Sequence, residues 1–131
     1  MEIVPFKSIG TLSFGDSRKV ARAKLASTFS TFEKVPGETE TDSFDDLGLH
    51  LYYDDEGRLE FVEAFDPAKV VFRGISFLGR EMGAVTKAMK TLGFAATVSD
   101  VGARFETAGI ALTVSSDVVE GIAAHRRGYF D

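Results

Sequence analysis

The sequence contains no cysteine and no tryptophan, and only three prolines and two histidines among its 131 residues. Without cysteine the chain has no disulfide bridge, no thiolate ligand for a metal and no cysteine nucleophile. No apolar run approaches the roughly 20 residues that a membrane-spanning helix requires. Residues 1–6 carry neither the basic segment nor the long apolar segment of a signal peptide. We therefore expect a cytoplasmic protein without membrane association, folded as a single domain over residues 1–131.

Basic residues are scarce in the middle of the chain. Residues 33–63 hold eleven carboxylates and two basic side chains, a net charge of −9, whereas the whole chain has a net charge of −5. Nucleic-acid binding requires clustered lysine and arginine, so this charge disfavours it. The negative charge favours a basic protein partner. An acidic loop that only keeps the chain in solution would have the same composition, so both interpretations stay open.

Residue spacings that are typical of catalytic or metal sites are also missing. His50 and His125 have no partner at the spacing of a zinc site. No G-x-S-x-G segment is present to activate a serine, and the glycine-bounded segments 10–15 and 74–79 lack the ending of a phosphate-binding loop. The acids of residues 42–56 do not follow the spacing of a calcium loop. We predict a non-enzymatic protein that requires no metal and no cofactor.

An internal repeat is the main feature that the sequence does show. Segments 10–15 and 74–79 each precede a helical pattern, residues 47–53 align with 108–114, and residues 59–62 align with 119–122, at offsets of 60 to 64 residues. Such a repeat indicates duplicated structure. We predict an α+β fold of two tandem helix-plus-antiparallel-sheet units, about 3–65 and 69–127, packed as one domain with approximate two-fold pseudo-symmetry.

Apolar residues at helical spacing predict one helix in each half. The first covers about residues 18–29, with Asp16 or Ser17 as its N-cap. The second covers about residues 82–92 and ends at Gly93, a residue that readily adopts the left-handed conformation of a helix end.

Alternating apolar residues predict antiparallel strands. Leu49, Leu51 and Tyr53 alternate with polar positions, and the turn at Gly57 leads into a return strand that places Leu59, Phe61 and Phe65 on one face. In the second half we predict strands at 94–98, 103–107, 110–114 and 119–123. Residues 33–46 are predicted to form the longest loop.

The strand alternation also predicts a candidate surface. If Leu49, Leu51 and Tyr53 face the helices, then His50 and Tyr52 face outward, beside Glu60 and Val62 of the return strand. Tyrosine is enriched at protein interfaces, where its ring contributes contact area at low entropic cost. An ordinary amphipathic outer face explains the same pattern and stays open. The predicted partner-binding residues are His50, Tyr52, Asp45, Asp46, Asp54, Asp55 and Glu60.

Residues 9–20 (IGTLSFGDSRKV), followed by a strand ending in the turn 54–59, resemble a known repeat module. The segment is similar to the repeat of the beta-lactamase inhibitor protein and small outer-membrane assembly lipoprotein superfamily. The resemblance implies a helix packed on antiparallel sheet and protein binding on the sheet surface. The chain lacks the lipidated cysteine and the disulfides of those proteins, and residues 77–81 depart from the motif of residues 14–17. It also resembles small bacterial cytoplasmic proteins, some of which act as immunity proteins.

Two functional hypotheses follow from these observations. In the first, the chain is a non-enzymatic protein-binding module, in its most specific form an immunity or inhibitor protein that occludes a basic surface of its partner. In the second, it is a small-molecule-binding or regulatory domain that uses the cleft between the two predicted units. No nucleic-acid partner is expected in either case.

Overall fold

A computed structural model describes residues 1–130, in which β-strands are the predominant regular structure. The chain starts with three short strands, β1 (Ile3–Val4), β2 (Ser8–Ile9) and β3 (Leu12–Ser13), followed by helix α1 (Arg18–Leu25). Next come β4 (Ser30–Phe32), β5 (Thr41–Phe44), a 3₁₀ turn (Asp45–Leu47), β6 (Leu49–Tyr53), β7 (Leu59–Phe65), β8 (Val71–Phe72) and β9 (Ile75–Ser76). Helix α2 (Met82–Thr91) then leads into β10 (Thr97–Ser99), β11 (Gly102–Phe105), β12 (Ile110–Ser115) and β13 (Val118–His125).

Eight of these strands form one antiparallel sheet in the order β10-β11-β12-β13-β7-β6-β5-β4. The two halves of the chain meet where β13 pairs with β7, with Ala124 opposite Val62 and Ile122 opposite Ala64. The predicted α+β fold of two tandem helix-plus-sheet units with pseudo-two-fold symmetry is therefore wrong. The strands of both halves share one continuous hydrogen-bonded sheet, and the helices are a minor component beside it.

One face of the sheet carries the hydrophobic core. Leu49 and Leu51 of β6 and Val62 of β7 are at most 1% exposed, and they pack in the same buried cluster as Ala21 of α1 and Val85 of α2. The two helices and the short N-terminal strands thus cover this inner face, which leaves the opposite, outer face of the sheet without a helix. No helix within residues 1–130 is long and apolar enough to cross a membrane.

Helix α1 has the N-cap predicted from its sequence but ends earlier than expected. The side chain of Ser17 accepts a hydrogen bond from the backbone N–H of Val20 at 3.2 Å. The helix stops at Leu25 because Ala26 adopts a left-handed conformation with φ of 47°. Phe29, predicted to lie in the helix, instead precedes β4. Helix α2 matches its prediction to within one residue and is followed by Gly93, with φ of 95°.

The predicted strand and loop bounds need two further corrections. Residues 33–46 are not one long loop, because β5 pairs with β6 inside that stretch. In the second half, β10 begins at Thr97 rather than at residue 94, and β13 continues to His125. These strands are longer or shorter than predicted because cross-strand pairing, and not local composition, sets where they end.

A buried ion pair connects α1 to the sheet through β5. The side chain of Asp42 is 0% exposed, and Arg22 donates to it from Nε at 2.8 Å and from Nη2 at 2.7 Å. The hydroxyl of Tyr53 donates to the same carboxylate at 2.8 Å. Burial, with the hydrogen bond to Asp42 as the next cause, raises the pKa of Tyr53 well above its usual range. Asp42 is therefore part of the structural core and not of an acidic loop.

A β-bulge in the β6–β7 hairpin decides which side chains face outward. The register shifts between Tyr52 and Tyr53, so that Tyr52 lies opposite Phe61 while Tyr53 lies opposite Leu59. Directly opposed residues share a face. Phe61 and Phe65 therefore lie on the outer face, where we had predicted Val62, and Val62 is buried in the core. The predicted face of these three residues is wrong because the bulge inserts one residue into β7.

Candidate functional site

The outer face of the sheet carries a continuous group of aromatic rings around β6, β7 and β13. We call this group the aromatic face; it consists of Phe32, His50, Tyr52, Phe61, Phe65, His125, Tyr129 and Phe130. Ring centroids are 4.7 Å apart for His50 and Phe65, 5.3 Å for Tyr52 and Phe61, and 4.7 Å for Phe61 and Tyr129. Most of these side chains are half-buried, whereas Phe130 is 47% exposed. A contiguous group of large rings on a sheet face that no helix covers marks a candidate interaction surface.

A groove of about 540 Å³ opens at one end of the aromatic face. It lies between the β4–β5 connection, the β6–β7 turn and the segment that follows β13. Its lining residues are Lys34, Gly37, Glu38, Thr39, Thr41, Tyr52, Tyr53, Asp54, Asp55, Glu60, Arg126 and Tyr129. Four carboxylates and two basic side chains thus surround three tyrosines.

The carboxylates of the groove differ in the number and length of the hydrogen bonds that they accept. Asp54 accepts the backbone N–H groups of Glu56 and Arg58, both at 2.9 Å, and so holds the hairpin turn. The carboxylate of Glu60 accepts two hydrogen bonds from Arg126, one from Nε at 3.2 Å and one from Nη2 at 3.0 Å. Asp55 is exposed and accepts one long hydrogen bond, of 3.4 Å, from the hydroxyl of Thr39.

Tyr52 and His50 are held by the same carboxylate. Oε1 of Glu63 accepts the hydroxyl of Tyr52 at 3.4 Å and lies 3.5 Å from Nδ1 of His50. Burial, followed by the charge of Glu63, raises the pKa of Tyr52 well above its usual range. Tyr52 therefore stays protonated near neutral pH, so that its hydroxyl remains a hydrogen-bond donor.

Asp45 and Asp46 lie apart from the other predicted site residues. They occupy the 3₁₀ turn before β6, at the opposite end of that strand from Asp54 and Asp55. The hydroxyl of Ser43 donates to Asp45, and the hydroxyl of Thr28 donates to Asp46 at 3.4 Å. Both aspartates line a separate, shallower depression.

The structure thus distributes the seven predicted residues over three places. Tyr52, Asp54, Asp55 and Glu60 line the groove. His50 lies beside Tyr52 on the aromatic face, with ring centroids 6.5 Å apart. Asp45 and Asp46 form a second, separate acidic surface. Whether any of the seven contacts a partner stays a prediction.

Three side chains of this region had no predicted binding role: Phe61, Arg126 and Tyr129. Phe61 was assigned to the core face, and only the bulge in the hairpin places its ring outward. The ring of Tyr129 contacts that of Phe61 and so packs the C-terminal segment against the sheet. An aromatic pair near the end of the chain, following two arginines, was the signal in the sequence.

His125 is buried beneath the C-terminal part of the aromatic face. Its Nδ1–H donates to the backbone carbonyl of Arg126 at 2.9 Å, which fixes the tautomer. Its ring is stacked on Phe61, at 6.3 Å and 11°, and meets Phe130 edge-on at 5.0 Å. Burial is the largest influence and lowers the pKa of His125; the hydrogen bond to the Arg126 carbonyl opposes this shift, and the charges of Arg104 and Arg126 add to it. His125 is therefore a neutral component of the packing.

Chemically, the region offers surfaces for contact. Within residues 1–130, no three histidine or carboxylate side chains are grouped so that they could hold a metal ion. The aromatic face supplies rings with hydroxyl donors at their ends, and the groove supplies carboxylates beside those rings. A protein surface with exposed basic groups would contact the rings and the carboxylates at the same time.

Comparisons with known proteins identify no relative. No protein-family model matches the chain, and no curated protein or solved structure is significantly similar to it. The resemblance of residues 9–20 to the inhibitor and lipoprotein repeat therefore stays a prediction.

Proposed function

We propose that this chain is a non-enzymatic protein-binding module whose aromatic face docks a basic partner protein, and that it acts as an immunity or inhibitor protein by occluding the surface to which it binds. The observation that carries the proposal is the set of large rings on a sheet face that neither α1 nor α2 covers. Tyr52, Phe61 and Tyr129 form its centre, next to the groove.

The energetics of interfaces favour this surface over the rest of the molecule. Aromatic anchors in the centre of an interface contribute most of the binding energy, and surrounding polar groups exclude water. Tyr52 is pre-positioned by Glu63 and by its edge-on contact with Phe61, so little side-chain entropy remains to be lost on binding. The exposed acids at the rim favour a partner of opposite charge.

A second candidate function is small-molecule binding, and the size of the groove favours it. Its volume of about 540 Å³ falls within the range of ligand pockets. The groove lies at one end of the aromatic face, beside the β6–β7 turn, and is bordered mainly by charged and hydroxyl-bearing side chains. Ligand pockets are usually lined mainly by apolar groups, so protein binding remains the better supported function.

Affinity capture with matched variants tests the proposal. Wild type, Tyr52→Ala and Val20→Ala would be immobilised, exposed to lysate of the source organism, and any retained protein purified and titrated. Val20 is the control because it is 44% exposed on α1, at the other side of the sheet. We expect a basic protein that binds wild type and Val20→Ala equally and binds Tyr52→Ala about 30-fold more weakly. If Val20→Ala weakens binding as much as Tyr52→Ala, or if no retained protein depends on Tyr52, the proposal is wrong.

A further inference from the structure

Lys34 places a cation over one wall of the groove. Its Nζ lies 5.1 Å from the centre of the Tyr52 ring, within the distance of a cation–π contact. Among the residues that the structure describes, no carboxylate forms an ion pair with this ammonium group. The lysine is itself exposed, in the connection between β4 and β5. The ammonium group of Lys34 is thus held at the groove by its contact with the ring of Tyr52 and not by an ion pair.

The other charges of the groove leave it negative. Arg126 is committed to Glu60 through two hydrogen bonds, and these two charges offset one another. Asp54 accepts two N–H groups of the turn and pairs with no basic side chain of the groove, and Asp55 and Glu38 are exposed carboxylates on the same lining. Lys34 alone opposes these three. A cation in the groove would therefore meet carboxylates on one side and a tyrosine ring on the other.

We propose that the groove is the recognition pocket for one lysine or arginine side chain of the partner, and that Lys34 occupies the position of that side chain in the free protein. The proposal rests on the proposed function, because it names the group of the basic partner that enters the groove. Binding then exchanges one cation for another over the ring of Tyr52. Lys34 thereby weakens every cation that enters the groove by the same factor, so tight binding requires a partner that also contacts the aromatic face.

An alternative occupant is an anionic group held by Lys34 and Arg126. The geometry disfavours it, because the guanidinium of Arg126 is already paired with Glu60 and the carboxylates outnumber the basic groups on the lining. A carboxylate or phosphate would have to displace Glu60 and lie next to Asp54 and Asp55. The same titration distinguishes the two occupants if a glutamate peptide is included.

Short blocked peptides test the proposal without any partner. N-acetyl-Gly-Lys-Gly-amide and its arginine equivalent would be titrated into the intact protein, with the neutral citrulline peptide and the glutamate peptide as controls. Backbone amide NMR shifts would report the site. We expect saturable shifts in residues 52–55 and 126–129 with the two cationic peptides and none with the citrulline or glutamate peptides.

Variants of the chain then test the role of each group. Lys34→Gln should tighten binding of the lysine peptide by about two- to fivefold, which corresponds to the contribution of an exposed cation–π contact. Lys19→Gln removes the same charge from the exposed side of α1 and should change the affinity less. Tyr52→Leu and Asp55→Asn should each weaken binding by a similar factor. Asp100→Asn, which removes an exposed acid from the turn between β10 and β11 at the far edge of the sheet, should leave it unchanged.

The contrary results are equally definite. If the citrulline peptide binds as well as the arginine peptide, the groove does not recognise a cation. If Lys34→Gln and Lys19→Gln tighten binding equally, Lys34 does not occupy the position of the entering cation. Either result overturns the inference. Equal losses of affinity in Asp55→Asn and Asp100→Asn would show that only the net charge of the protein matters, which also overturns the inference. Failure here leaves the proposed function intact whenever the captured partner still depends on Tyr52.

Discussion

Phe61 lies directly opposite Tyr52 across β6 and β7, and their rings meet edge to face with centroids 5.3 Å apart. The bulge between Tyr52 and Tyr53 makes this pairing possible, because an unbroken register would turn Phe61 inward. The outer face therefore gains a large ring next to Tyr52, and the inner face gains Val62. One inserted residue thus places Phe61 on the aromatic face and Val62 in the core.

Core and surface positions of β6 should respond differently to truncation. Leu51 is 0% exposed, so Leu51→Ala should lower the free energy of unfolding by about 2–5 kcal/mol through lost burial and a residual cavity. Tyr52→Ala removes a half-buried ring from the outer face and should cost less. Val101→Ala, at a 70% exposed position, is the control. Urea denaturation measures all three, and a larger loss for Tyr52→Ala than for Leu51→Ala would contradict the face assignment.

The buried carboxylate of Asp42 should depend mainly on Arg22, because Nη1 of Arg18 lies 3.6 Å from Oδ1 without donating a hydrogen bond to it. Arg22→Met leaves the charge of Asp42 with the Tyr53 hydroxyl as its remaining short hydrogen bond, and we expect a loss of about 3 kcal/mol or more. Asp42→Asn, which removes the charge and keeps the shape, should recover part of that loss when it is added to Arg22→Met. A double-mutant cycle by urea denaturation gives the coupling, and additive losses would show that the pair is energetically independent.

Acid should destabilise the fold through His125. Burial lowers its pKa in the folded state, so the unfolded chain binds the proton first as pH falls. The stability contributed by neutral His125 is complete above the unfolded pKa of about 6.5 and is lost as pH falls toward and through the folded value. His125→Asn retains a donor near Nδ1 and should flatten the pH dependence of the free energy of unfolding between about pH 7 and 5. Identical pH profiles for the two proteins would exclude His125 as the cause.

The sequence allows some elements to be predicted and not others, for identifiable physical reasons. The start of α1 could be predicted because Ser17 caps it through a local hydrogen bond, and the alternation of β6 could be predicted because Leu49 and Leu51 are both buried. Local patterns do not encode the pairing of β13 with β7, since it joins residues far apart in the chain. For that reason two separate units were predicted where one sheet exists.

The candidate site shows the same limit. Tyr52, Asp54, Asp55 and Glu60 are close in sequence and meet in the groove. Asp45 is equally close in sequence, but the length of β6 separates it from them. Tyr129 and Arg126 reach the groove only through the β13–β7 pairing, which no local pattern signals. Short-range alternation therefore finds the hairpin part of the site, and long-range topology adds the remainder.

Charge reversal at the two ends of β6 should distinguish a local electrostatic effect at the groove from an effect of net charge on the association rate, once a partner has been purified. Asp55→Lys places a positive charge in the groove, so it should slow association with a basic partner, and the effect should shrink as salt screens charges beyond about 10 Å at 0.1 M. Asp45→Lys changes the net charge equally at the far end of the strand and should slow association less. Tyr52→Ala should act mainly on the dissociation rate, because an anchor forms its contacts after encounter. Stopped-flow or surface plasmon resonance measures both rates. If Asp45→Lys slows association more than Asp55→Lys does, the partner docks at the 3₁₀ turn rather than at the groove.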